Sequence, residues 1–205
     1  MAKNERRLEE DNDRFCKIDK IGIEILNCFV YNDPIGAMHR YEAWRPGLPK
    51  GATHTMYTAN AIRNICLLGH SGSGKSALAE SLLYMTGAIL RMGKNADGNT
   101  VSDYDPEETR RNISISTSVI PLEYKNTKIN VLDTPGAFDF SGAVMEALRA
   151  ADAAILVLSA KDGITVGFEK AWKYCEERNM PRFVYISKVD EDNSDYNATF
   201  EALRE

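Results

Sequence analysis

Residues Gly69-His70-Ser71-Gly72-Ser73-Gly74-Lys75-Ser76 restrict the fold more than any other stretch of this 205-residue chain. They satisfy G-x-x-x-x-G-K-[ST], the spacing at which a glycine-rich loop curls its backbone N–H groups around phosphate oxygens. Such a loop works only between a strand and a helix, and both flanks fit. Ile62–Leu68 is short, apolar and partly β-branched, as a buried parallel strand is. Beyond the loop, Leu78, Leu82 and Met85 recur at i, i+4 and i+7, and Gly87 marks a stop, which predicts a helix. The helix N-terminus adds a favourable dipole for an anion. In this arrangement Lys75 reaches the terminal phosphates of a nucleotide, and the Ser76 hydroxyl sits on magnesium. The cradle is expected to comprise His70, Ser71, Gly72, Ser73, Gly74, Lys75, Ser76 and Ala77. His70 contributes its backbone, and its side chain reads as a packing residue.

Two later strands carry further polar residues at their ends. Lys128-Ile129-Asn130-Val131-Leu132 leads into Asp133-Thr134-Pro135-Gly136. An acid at the end of a strand beside the loop is where magnesium is held, and Gly136 lets a backbone N–H approach the γ-phosphate. Residues 183–186 form another strand, followed by Ser187-Lys188-Val189-Asp190. Ser118–Tyr124 and 128–132 pair around Lys125-Asn126-Thr127 as a hairpin, so one edge strand is antiparallel. Val144, Leu148 and Ala151 make one helical stripe, and 153–158 reads as a fully buried strand. Phe168, Ala171, Trp172 and Cys175 mark another helix, and Tyr196, Phe200 and Leu203 a last one; these aromatic spacings are read as core stripes. The alternation gives an α/β P-loop fold: a mostly parallel sheet with one antiparallel edge strand and helices on both faces.

The order P-loop, D-T-P-G, [N/S]-K-x-D is that of GTPases, and the strings between them narrow the resemblance. Asn99-Thr100-Val101-Ser102-Asp103-Tyr104 with Arg110-Arg111-Asn112-Ile113-Ser114-Ile115 resembles the switch region of translational GTPases, usually R-G-I-T-I. Asp133-Thr134-Pro135-Gly136-Ala137-Phe138-Asp139-Phe140 resembles their D-T-P-G-H-x-D-F. The run from Ala150 through Gly163-Ile164 resembles their next helix, strand and turn. Residues 57–205 are therefore similar to the start of the G domain of elongation factor G and its relatives. The resemblance implies a GTP- and GDP-binding GTPase that uses Mg²⁺, is cytoplasmic and works on the ribosome. It implies that Ser76, Ser114 and Asp133 serve magnesium, and that Lys75, Ser114 and Gly136 serve the terminal phosphate. Ser187, Lys188 and Asp190 would hold guanine. It also implies further chain after residue 205, since the loop completing the guanine pocket, the last strand and the later ribosome-contacting domains follow there in the family. The G domain at 56–205 is thus expected to be incomplete, truncated before its last strand.

Three departures from the family pattern bear on mechanism. Ala137 stands where a His usually orients the attacking water, and loss of such a group costs orders of magnitude in rate. Ser187 replaces the Asn that braces the base-binding loop. Gly72 and Ser73 replace the Asp and small residue usual inside the loop, a change that still meets the general P-loop pattern. Two function classes follow. One is a GTPase driving ribosomal translocation or ribosome release; the other is a hydrolysis-deficient, GTP-responsive binding module regulating the ribosome. An ATP-using enzyme is disfavoured by Lys188 and Asp190.

Composition suits one soluble domain, with 43% hydrophobic and 27% charged residues. The formal net charge of −5 supplies no basic field for direct DNA binding, and no apolar run approaches a membrane span. Cys16, Cys28, Cys66 and Cys175 form no C-x-x-C pair, and Cys66 and Cys175 read as small core residues. The segment 105–111 is charged and reads as a solvated loop or as a switch ordered by nucleotide; its neighbours favour the switch. Residues 1–55 are read as an N-terminal extension, disordered or loosely attached, with either Met56 as the true start or the extension docking on the G domain.

Overall fold

β1 (Ile62–Leu68) becomes the middle of the sheet because its alternating apolar residues can be buried on two sides at once. The structure, a computed structural model, describes residues 57–204; the expectations for residues 1–55 lie outside them. Ile65 and Leu67 face one helical layer, Cys66 and Leu68 the other, and all four are at most 2% exposed. β1 pairs in parallel with β3 (Thr127–Asp133) on one side and β4 (Ala153–Ser159) on the other. β2 (Ser118–Tyr124) runs antiparallel to β3, and β5 (Arg182–Ser187) parallel to β4, giving the order β2-β3-β1-β4-β5. This is the expected fold, a mostly parallel P-loop sheet with one antiparallel edge.

Helices cover both faces. α1 (Lys75–Met85) buries Leu78, Ala79, Leu82 and Leu83 against one face. After α2 (Pro106–Arg111), α3 (Ser141–Ala150) and α4 (Val166–Glu177) bury Val144, Ala147, Leu148, Phe168, Ala171 and Cys175 against the other. α5 (Tyr196–Ala202) follows β5. The sheet therefore presents the C-terminal ends of β1, β3, β4 and β5 along one edge, which is where ligands bind in open α/β folds.

Several local expectations are corrected. The segment 105–111 is no loop: Asp105 caps α2 by accepting from the Glu107 N–H at 2.7 Å, and Pro106 opens it. The hairpin turn needs only Lys125 and Asn126, both at positive φ (47° and 59°), and Thr127 already belongs to β3. Ala151 lies just past the end of α3. The aromatic stripes are not all core. Phe168 is buried, but Trp172 is 36% exposed and carries the Arg182 guanidinium 4.1 Å above its ring. Tyr196 and Phe200 stack on each other at the surface, ring centroids 6.0 Å apart, while the same helix buries Thr199. Helical spacing puts residues on one face without saying which way that face points. Cys66 and Cys175 are buried as read and form no disulfide among the described residues, and burial pushes the Cys66 thiol up to about 12. Among the described residues no helix is long and apolar enough to cross a membrane.

Candidate nucleotide site

The loop between β1 and α1 ends at Gly74, whose φ of 97° is strained for any residue with a side chain. Gly74 gives α1 no side-chain cap, so the first N–H groups of that helix remain available to an anion. Lys75 is 6% exposed and donates from Nζ to the carbonyls of His70 (2.9 Å) and Gly69 (3.2 Å). Burial lowers its pKa to about 8, opposed by the nearby Asp133 carboxylate. The loop and the start of α1 line a groove of 280 Å³ that also takes in Gly136, residues 112–114 and Lys188.

Asp133 closes the end of β3 and is 1% exposed. Burial raises its pKa to about 6, with the Asp103 carboxylate acting in the same direction; the Ser76 hydroxyl, the Lys75 ammonium and the Ser102 hydroxyl act against it. Those hydroxyls lie close enough to favour the anion, yet neither Asp133 oxygen has a partner in hydrogen-bond geometry among the described residues. A buried carboxylate with two orphaned oxygens beside a serine hydroxyl and a second carboxylate is chemistry that a hard divalent cation satisfies. Magnesium therefore fits the residues present. Gly136 lies directly on the loop: a Cβ there would sit 2.5 Å from the Ser71 nitrogen and 2.6 Å from Lys75 Nζ.

The remaining predicted residues divide. Ser114 lines the groove, and its hydroxyl donates to Asp103 Oδ1 at 2.9 Å, leaving its oxygen lone pairs available. Ser187 is 7% exposed, and its Oγ lies 2.6 Å from the Ser73 carbonyl and 3.1 Å from that of Leu158. A single hydroxyl proton thus ties the loop after β5 to the phosphate loop. Lys188, at φ 55°, joins the groove, whereas Asp190 stands exposed on the next turn and is not among the groove-lining residues. His70 also lies outside that lining. Its ring stands 6.0 Å from that of Phe138 and against Gly167 of α4, which is the packing role read from the sequence. Ala137 offers a methyl group to a 40 Å³ cavity shared with Gly69, Phe138 and Lys170.

Three buried carboxylates were not singled out in the sequence. Glu80, on α1, accepts from the Gly93 (2.8 Å) and Val101 N–H groups. Asp103 accepts from Ser114, from Thr100 Oγ1 and from Asn95 Nδ2, the last two at 3.1 Å. Glu108, on α2, accepts from the Ile115 and Ser116 N–H groups at 2.8 and 3.0 Å. Asp103 and Glu108 lie in polar runs, and Glu80 stands among the apolar residues of α1, where an acid ordinarily reads as the solvated side of an amphipathic helix.

Residues 60–205 match the model of the elongation factor Tu GTP binding domain. The chain is 39% identical over 136 residues to "Elongation factor G 2" of Borreliella burgdorferi, covering 66% of this chain and 20% of that protein. It is 37% identical over 145 residues to "Ribosome-releasing factor 2, mitochondrial" of Candida dubliniensis, covering 71% of this chain and 18% of that protein. A crystal structure of a protein from Thermus thermophilus superposes with a TM-score of 0.67 at 44% identity, over 70% of this chain and 22% of that one. The chain thus spans about a fifth of the length of the relatives it matches.

Proposed function

We propose a function from one premise: this chain belongs to the family of the elongation factor Tu GTP-binding domain, among its elongation-factor-G-like members. It is the GTP-binding part of a translation factor that hydrolyses GTP to drive ribosomal translocation or ribosome release. The G domain runs over 56–205, with residues 1–55 as an extension before it. Its partners are a guanine nucleotide and the ribosome, and its compartment is the cytoplasm.

One observation carries the reading of the site. Asp133, with both oxygens orphaned among the described residues, lies buried beside Ser76 and Lys75, and those two line a groove that Lys188 also lines. Phosphate and base functions thus share one opening. Lys75 and the N–H groups at the start of α1 hold the phosphates, and Gly136 brings its own backbone to the terminal one. Ser76, Ser114 and Asp133 hold magnesium. When bound, that ion neutralises charge building up between the terminal phosphates. Lys188 packs over the guanine ring, and Asp190 accepts from its N1–H and N2–H₂ once the exposed turn closes on the base. Ser187 keeps that turn in register with the phosphate loop through its bond to Ser73, the bracing task done elsewhere in the family by Asn.

Ala137 carries no group able to orient water, so backbone or a group from outside these residues performs that step. The relatives' names favour the GTPase over the hydrolysis-deficient module. Competition binding with the full-length protein tests the reading. GTP and GDP should displace a labelled guanine nucleotide in a magnesium-dependent way while ATP does not. Equal competition by ATP refutes the assignment.

A further inference from the structure

Ser114 reaches the groove on a segment with little regular structure to hold it. Between α1 and β2 the chain has one three-residue 3₁₀ turn at Asn95–Asp97 and the six-residue α2. What brackets Ser114 is Glu108. Its backbone carbonyl accepts from the Ile113 N–H at 3.3 Å, on one side of Ser114. Its side-chain Oε1 accepts from the Ile115 N–H at 2.8 Å, the Ser116 N–H at 3.0 Å and the Ser116 hydroxyl at 3.3 Å, on the other side. Glu80 pins the start of the same segment to α1, the helix that begins at the phosphate loop.

Stability is a weak reason for burying Glu108. The residue is 1% exposed, and Oε2 has no partner among the described residues. Buried charges often break even with apolar residues of similar volume, so their value lies in geometry where it lies anywhere. The geometry fixed here is that of the residues flanking Ser114.

We propose that Glu108 is a positioning residue for the proposed Ser114–magnesium contact. It clamps Ile113, Ile115 and Ser116 so that the Ser114 hydroxyl stands in the groove, its proton given to Asp103 and its lone pairs left for the cation. The proposal rests on the function proposed above, and its test separates the two. Affinities of the full-length protein for a non-hydrolysable GTP analogue and for GDP are measured by calorimetry over a range of magnesium concentrations. Loss of a charge-assisted clamp in Glu108→Ala should weaken magnesium-dependent binding of the analogue by at least about tenfold. GDP affinity should stay within about twofold, because Ser114 serves the terminal-phosphate side. Glu108→Gln, which keeps an acceptor oxygen, should recover most of the loss. In a Ser114→Ala background, Glu108→Ala should add no further loss.

Additive losses, or equal losses for GDP and the analogue, overturn the positioning role. Should the alanine variant not fold, Glu108→Asp decides, since it keeps the charge and withdraws the oxygen by one methylene. A selective loss for the analogue supports the proposal, and unchanged binding overturns it. If Ser114→Ala alone leaves magnesium dependence intact, the magnesium role of Ser114 fails and this proposal falls with it.

Discussion

Adding one methyl group at Gly136 should destabilise the protein even before any nucleotide is present. The Cβ of Gly136→Ala would lie 2.5 Å from the Ser71 nitrogen, 2.6 Å from Lys75 Nζ and 2.7 Å from the His70 carbonyl carbon. Ordinary contacts begin about 0.9 Å farther out. Two of these three neighbours are backbone of the phosphate loop, so they cannot rotate away; either the loop or the end of β3 must move. Overpacking of this kind costs about 1–3 kcal/mol. For a chain of this length that is a fall of roughly 2–12 °C in Tm. Gly142, six residues later, supplies the control. It lies exposed in α3, and a Cβ there meets nothing within 4 Å. Gly142→Ala should therefore stabilise by about 0.4–1 kcal/mol, through the entropy of the unfolded chain. Urea denaturation of the nucleotide-free protein measures both. If the two variants shift in the same direction, or if Gly136→Ala costs nothing, the contact between β3 and the phosphate loop is not as described.

Lys75→Ala should lower nucleotide affinity at least about tenfold by calorimetry, since a charge-assisted phosphate contact contributes about 1.5–3 kcal/mol; unchanged affinity would remove residues 69–76 from the site. Asp190→Asn should weaken GTP and GDP and favour xanthine nucleotides relative to guanine ones, measured by competition; an unaltered preference would take base reading away from Asp190. Ala137→His should raise ribosome-stimulated turnover by up to roughly 10²–10⁴-fold with little change in GTP affinity; equal, fast rates in both proteins would mean that another group already orients the water. The folded Asp133 carboxyl, at about 6 against an ordinary 3.8, holds its proton more tightly than the unfolded chain does. Its contribution to the nucleotide-free fold is therefore lost as pH rises from about 4 to about 6, by up to about 3 kcal/mol. The stability difference between wild type and Asp133→Asn, followed by urea midpoints, should shift in favour of the Asn variant across that window, and a flat difference would show that Asp133 is not desolvated.

The parts of the molecule legible in the sequence were those written in short-range chemistry. The octet at 69–76 needs a strand before it and a helix after it, and both are where the periodicity places them. Asp133 was singled out because it ends an apolar strand run beside the phosphate loop, and Ser187 because the string it opens resembles a guanine-recognising element; the structure puts both at strand ends on one edge of the sheet. Glu80, Asp103 and Glu108 were missed for the converse reason. A carboxylate taken up by backbone N–H groups, as Glu80 and Glu108 are, or by side-chain hydroxyl and amide donors, as Asp103 is, looks in sequence like any solvated acid, and only the path of the chain decides. Trp172, Tyr196 and Phe200 erred the other way, because aromatic spacing reports a helix face while exposure depends on what packs over it.

The β2–β3 hairpin brings the segment after Ser114 and the end of β3 at Asp133 together like the tips of a single pair of tweezers. Ser118, four residues after Ser114, lies opposite Asp133, and the ladder continues without interruption to Tyr124 opposite Thr127. Ile120 and Leu122 are buried while Val119 is exposed, so sliding by one residue would turn the apolar side of β2 outward. Ser114 and Asp133 are 19 positions apart in the chain; paired backbone sets Ser118 opposite Asp133, and the hold of Glu108 on Ile115 and Ser116 sets the short stretch from Ser118 back to Ser114. Fixing the end of β3 therefore also fixes Ser118, and with it the point from which the chain runs back to Ser114. Extra residues at the Lys125–Asn126 handle would lengthen the tool without spreading its jaws.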